Sequence, residues 1–196
     1  MMSRIPFTLL FLTIMVVANA FAGTLSGAIS DSALSGWGIS HLSIRQGELY
    51  RLLTGTFLSH DFGMFLRQMV FAATVIGMFE WTAGTRRTFA MFLSIDVIGT
   101  LLVLFVILPI LVQVHPSINA EALSIYDVGM SAGGFGLIGA LVAQWKHRWI
   151  YLIAIYLAIF AKVWISFDII ADTAHILCLF LGFALQTAIS GYATRR

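Results

Sequence analysis

Ser131 and His175 are the two side chains in this sequence best suited to acyl-transfer chemistry. An imidazole within hydrogen-bond reach of a hydroxyl can act as its general base and make it nucleophilic. Ser131 stands in the string Gly129-Met-Ser-Ala-Gly-Gly-Phe-Gly-Leu-Ile-Gly-Ala140, and His175 follows Asp172-Thr-Ala near the start of the last apolar run. Asp172 could serve as a third member of the set, but Asp-Thr-Ala-His at a helix start reads better as an N-cap. That leaves a Ser–His dyad. Neither residue type is diagnostic alone. The small residues Ala132, Gly136 and Ala140 recur every fourth position, and Gly129 and Gly133 repeat the spacing. A close helix–helix packing face needs the same pattern. His175 in turn has a reading as a packing hydrogen bond beside its functional one.

The elements that must position such a pair follow from composition. Of the 196 residues, 60% are hydrophobic and only 10% charged, with a mean hydropathy of +0.95. Soluble domains carry about 25% charged residues, so this chain reads as an all-α, polytopic membrane protein. A net charge of +2 with no basic, aromatic-interleaved run gives no signature of nucleic-acid binding. The one cysteine, Cys178, rules out an internal disulfide and a Cys-rich zinc site. His41, His115 and His147 have no metal-ligand spacing, and no cofactor is implied.

A bilayer core of roughly 30 Å needs about 20 apolar residues per helix, and backbone in lipid must satisfy itself as helix. Six spans are expected, at about 5–23, 62–81, 88–112, 129–145, 149–165 and 173–190, forming a single membrane domain over 1–196. Arg4, Arg86, Arg87, Lys146, Arg148, Arg195 and Arg196 then share one side, and Glu121, Asp127, Asp168 and Asp172 the other. The positive-inside rule places both termini in the cytoplasm. The first span has a competing reading as a signal peptide cleaved after Ala18-Asn19-Ala20. Between spans one and two, Ser43 to Leu58 reads as an amphipathic stretch with Arg45, Glu48 and Arg51 exposed. Asp96 and Lys162 lie in spans at different estimated depths, so Lys162 is expected to snorkel outward.

With these bounds Ser131 and His175 are each the third residue of a span running from outside to inside. They share a depth, and unpaired N–H groups at the start of the Ser131 helix could hold a tetrahedral oxyanion.

From about Glu48 to Gly182 the residues resemble the rhomboid intramembrane serine proteases. The string around Ser131 resembles the family's Gly-x-Ser-Gly nucleophile motif, with Gly136, Gly139 and Ala140 in the helix behind it. Ala174-His175, with Gly182 seven residues on, resembles the helix bearing the base. Glu48 to Thr54 with Phe57-Leu58 resembles the first-loop Trp-Arg segment, and Glu80, Gly84, Arg87 and Phe89 the end of the second span. The resemblance implies a six-helix rhomboid-like bundle in a prokaryotic inner membrane, cleaving transmembrane protein substrates within the lipid bilayer. It implies Ser131 as nucleophile, His175 as base, and an oxyanion hole from Gln68, Ser131 and Met130. It also implies substrate-binding or gating roles for His60, Ala132, Gly133 and Trp164. The sequence departs from the family pattern at Ala132 for glycine, Gln68 for asparagine, Met64 and Ser59 for histidines, Tyr50 for tryptophan and Cys178 for glycine. Gln68 keeps an amide donor on a longer arm, whereas Met64 cannot donate a hydrogen bond. A catalytically inactive relative that binds membrane clients is the alternative. An unrelated transporter subunit lacks its expected sign, since no internal repeat or paired broken helices are evident.

Overall fold

Long apolar runs give the chain its helices, and the one proline inside a long helix, Pro109, follows just after a π-helical turn at Val103–Ile107. The computed structural model describes residues 4–115 and 118–193, so Arg195 and Arg196 lie outside the described residues. Helix α1 is Pro6–Ala22, with proline at its start, where the missing N–H costs nothing. Three short helices follow in the first loop: α2 (Asp31–Trp37), α3 (His41–Arg45) and α4 (Arg51–Thr54). Then come α5 (Phe62–Ala83) and α6 (Thr85–Val114), each with a π-helical turn. Helices α7 (Ser131–Val142), α8 (Arg148–Ile165) and α9 (Ile169–Ala193) complete the bundle. No strand forms among the described residues; two isolated bridges, Ala28 with Asp61 and Ile39 with Asp127, pin the loops.

Among the described residues four helices, α5, α6, α8 and α9, are long and apolar enough to cross a membrane. The other two apolar helices, α1 and α7, have 17 and 12 residues. At about 1.5 Å per residue α7 is only about 18 Å long. It is also the most enclosed helix, held between α6 and α9 by its glycines. A side chain at Gly133 would strike the Phe92 ring on α6, and one at Gly136 would strike Ile95. On the opposite side, Gly139 lies against the Leu179 carbonyl and Gly182 against the Gly136 carbonyl, backbone on backbone. The small-residue repeat is therefore a packing face, as its spacing suggested. Helix α8 is peripheral, with only Leu152 and Ile159 buried.

The ends of the bundle differ in charge. Arg4 lies 4.9 Å over the Trp81 ring, Arg87 donates to Gln186, and Arg148 lies 5.8 Å over Trp149. Trp149 packs on Phe183 at 4.9 Å, which brings the start of α8 to the far half of α9. Ser131 and His175 belong to the opposite end. Glu80 ties α1 into the basic end. Its carboxylate accepts the Phe7 and Thr8 N–H groups at 2.9 and 2.8 Å, supplying acceptors for a helix start.

Three expectations need correction. Arg51 is buried, not exposed. It donates to Glu48 and to the carbonyls of Ser35 and Gly38, so the loop is folded onto its own arginine. Helix α9 starts at Ile169, four residues earlier than expected. Its cap is Asp168, which accepts from the Ile170 and Ala171 N–H groups. Asp172 lies inside the first turn, and Lys162 donates to its carboxylate at 2.7 and 2.9 Å instead of reaching outward unpaired.

Candidate functional site

The backbone before α7 is laid in place by the first loop. Ile39 and Asp127 exchange both backbone hydrogen bonds, at 2.9 and 2.8 Å, and the Gly129 N–H donates to the Gly55 carbonyl at 2.9 Å. Gly129 has φ +137°, and a Cβ there would stand 2.6 Å from Gln68 Nε2. The positive φ calls for glycine, and the Gln68 amide fills the space a side chain would take. The chain then turns at Met130, whose side chain is fully buried, and Ser131 becomes the first residue of α7.

His175 reaches the same region from α9. Because α9 starts early, His175 is in its second turn, not its first. Its ring stacks on Phe135 with centroids 4.1 Å apart and planes 19° apart. Phe135 is four residues after Ser131, so both project from one face of α7. Asp172 Oδ1 lies 3.9 Å from His175 Nδ1. Nε2 is buried and has no hydrogen-bond partner among the described residues, so Ser131 and His175 are not hydrogen-bonded in this structure.

Gln68 is buried on α5 and sits across from Gly129. Its Oε1 accepts the Ser59 hydroxyl at 2.7 Å, which turns Nε2 toward the backbone leading into Ser131. The Ser59 N–H in turn donates to Asn19 Oδ1 at 2.9 Å. Met64 contributes only a sulfur acceptor, for the His60 N–H at 3.4 Å. His60 Nε2 lies 3.4 Å from Asp127 Oδ1. That hydrogen bond to a carboxylate raises the imidazole pKa above its ordinary 6.5, against partial burial, which lowers it.

Ala132 and Gly133 are buried in the first turn of α7. Ala132 and Ser131 line a cavity of about 40 Å³ shared with Arg51, Thr56 and Asp96. The Gly133 N–H donates to Asp96 Oδ1 at 2.9 Å. Trp164, at the end of α8, is 93% exposed and stands apart from this cluster. Phe135, Thr56, Ser59 and Asn19 were not singled out as site residues in the sequence. Only Phe135 left a usable signal, its spacing of four from Ser131.

A family model described as Rhomboid domain matches residues 46–192. No curated protein matches the chain.

Proposed function

The chain belongs to the rhomboid family, and from that premise and the site geometry we propose that it is an intramembrane serine protease acting on the transmembrane segments of other membrane proteins. As a rhomboid-family protein with several apolar helices, it is an integral membrane protein. The finer reading is a six-span domain, with α1 and the short α7 counted as spans, in a prokaryotic inner membrane with both termini cytoplasmic. Helix α7 falls short of a bilayer, so non-helical backbone at Asp127 to Met130 would lie at membrane depth. Such backbone is tolerated where protein covers it, as the hydrogen bonds to Ile39 and Gly55 do here.

In the proposed reaction Ser131 Oγ attacks the scissile carbonyl carbon while His175 Nε2 takes the hydroxyl proton. The tetrahedral oxyanion is held by the Ser131 N–H and the Gln68 amide. The Met130 peptide sets the turn that directs the Ser131 N–H. His175 then returns the proton to the leaving amine, and a water molecule repeats the sequence on the acyl-enzyme. Ala132, Gly133 and His60 border the place where the substrate backbone would lie, and Trp164 on the loosely packed α8 is assigned to the gating side.

One observation carries this reading. His175 Nε2 is a buried nitrogen without a partner among the described residues, on a ring stacked one turn from Ser131, in a helix pair whose backbones touch. A buried polar atom left unpaired costs stability, and a site awaiting substrate accounts for it. The second reading, an inactive client-binding protein, draws on Met64 and on the absent Ser131–His175 hydrogen bond. A fluorophosphonate probe on the detergent-solubilised protein separates the two. Labelling is expected in the wild type, with loss in Ser131→Ala and in His175→Ala. Labelling that persists in Ser131→Ala, or none in the wild type beside a working control protease, defeats the catalytic reading.

A further inference from the structure

Asp96 lies within α6 and is 3% exposed. A carboxyl inside a membrane bundle is costly and calls for a reason. Its Oδ1 accepts the Gly133 N–H at 2.9 Å, and its Oδ2 lies 2.8 Å from Thr56 Oγ1. Gly133 is the third residue of α7, so its N–H has no acceptor within that helix. Met130, in the capping position, supplies no side-chain cap. The cap of the Ser131 helix is therefore delivered from α6, two residues past Ser131, and Asp96 lines the same small cavity as Ser131.

The proton count at Thr56 adds a second observation. Thr56 Oγ1 is also 2.9 Å from the Leu52 carbonyl, which can only accept. A hydroxyl has a single proton. If that proton goes to Leu52, the 2.8 Å contact is a full hydrogen bond only when the carboxyl donates to Thr56. No basic side chain pairs with Asp96 among the described residues; Arg51, on the same cavity, is engaged by Glu48 and two carbonyls.

Resting on the protease reading above, we propose that Asp96 is a positioning residue, held as a neutral acid, that fixes the first turn of α7 so that the Ser131 N–H faces the oxyanion. A carboxylate would cap the helix equally well. It would also set a negative charge near the developing oxyanion in a low-dielectric site, where like charges repel strongly. The neutral acid caps without that opposition.

The test combines infrared spectroscopy with labelling kinetics on the full chain. The wild type should show a carboxylic-acid C=O stretch at neutral pH that is lost in Asp96→Asn. Asp96→Leu should lower the fluorophosphonate labelling rate by at least about tenfold, since a 1 Å misplacement can cost on the order of 10²-fold. Asp96→Asn, which can still accept from Gly133 and donate to Thr56, should recover most of that loss. Should Asp96→Leu not fold, Thr56→Val serves instead, shifting the acid band and slowing labelling less. Absence of an acid band sensitive to Asp96 overturns the neutral acid. Wild-type labelling rates in both Asp96→Leu and Thr56→Val overturn the positioning role. A wild type that is never labelled beside a working control refutes the protease reading, and the positioning role falls with it, whatever the band shows.

Discussion

The proposed oxyanion hole depends most on Gln68, and Gln68→Leu tests it. The substitution removes the amide at nearly constant volume. Two effects follow and differ in size. The hydrogen bond from Ser59, 2.7 Å long, is lost and its buried hydroxyl is left unpaired, which costs about 1–3 kcal/mol of stability. The donor facing the Gly129–Ser131 backbone is lost too. One oxyanion donor is worth about 10²–10³ in kcat, or roughly 2.7–4 kcal/mol. The fall in activity should therefore exceed what destabilisation explains, and KM should change little because the interaction strengthens only in the transition state. Ser59→Ala keeps the amide but frees it, so a smaller loss, on the order of tenfold, is expected. The assay is cleavage of a detergent-solubilised transmembrane substrate, read as kcat and KM separately, with thermal unfolding on the same samples. A Gln68→Leu enzyme with wild-type kcat would remove Gln68 from the oxyanion hole. A loss confined to KM would make it a substrate-binding residue.

Other perturbations separate the scaffold from the site. Gly182→Ala should destabilise the protein by about 1–3 kcal/mol or more, because the new methyl meets the Gly136 carbonyl. Gly36→Ala, with nothing within 4 Å of its Cβ position, should be near neutral in the same unfolding titration. Glu80→Ala leaves the N–H groups of Phe7 and Thr8 and the hydroxyls of Thr8 and Thr85 without their acceptor. The expected cost is on the order of 3 kcal/mol, visible as a lower unfolding midpoint. The His60–Asp127 contact gives a pH signature: with the folded pKa above 6.5, its stabilisation is complete below about 6.5 and is lost as pH rises through the raised value. Asp127→Asn should return the His60 titration, followed by NMR, toward or below 6.5; an unchanged curve would deny the contact. Asn19 holds Ser59 from the last turn of α1, so intact-mass measurement should find α1 retained in the active protein, not cleaved after Ala20.

Much of this arrangement could be read from the sequence, and what could not has physical causes. Apolar runs located the helices because backbone satisfaction in lipid leaves few alternatives. The spacing of Gly and Ala announced a packing face, and Gly133, Gly136 and Gly139 do pack against α6 and α9. Cap chemistry was ambiguous, because Asp168 and Asp172 are both good N-cap residues. Ile169 and Ile170 read equally well as loop or helix, and the true cap shifted His175 by a turn. Arg51 was misjudged because its acceptors are carbonyls of Ser35 and Gly38, and carbonyl acceptors have no residue identity to read. Lys162 and Asp96 both found partners, but not each other. Those partners, Asp172 and Gly133, depend on which helices are neighbours, and hydropathy does not report neighbours.

The departures from the family pattern are coupled to one another, and that bears on whether the site is rebuilt or decayed. The longer arm at Gln68 is matched by Ser59, whose hydroxyl catches the amide oxygen at 2.7 Å and leaves the nitrogen toward Gly129. Ser59 is itself held by Asn19. Cys178, in place of a small residue on α9, fills space directly opposite Gly99 on α6, where any side chain would collide with its sulfur. A buried amide held by Ser59 and aimed at Gly129, together with a buried imidazole nitrogen that has no partner among the described residues, fits a maintained site, since an unpaired buried polar atom costs stability. If the site is maintained, the double variant Gln68→Asn with Ser59→His, which restores the family's residues, should not raise activity. The shorter amide loses its anchor, and an imidazole must fit where Ser59 is 0% exposed. Recovery of kcat above wild type in that double variant would show instead that the present pair is an impaired version of the family's own.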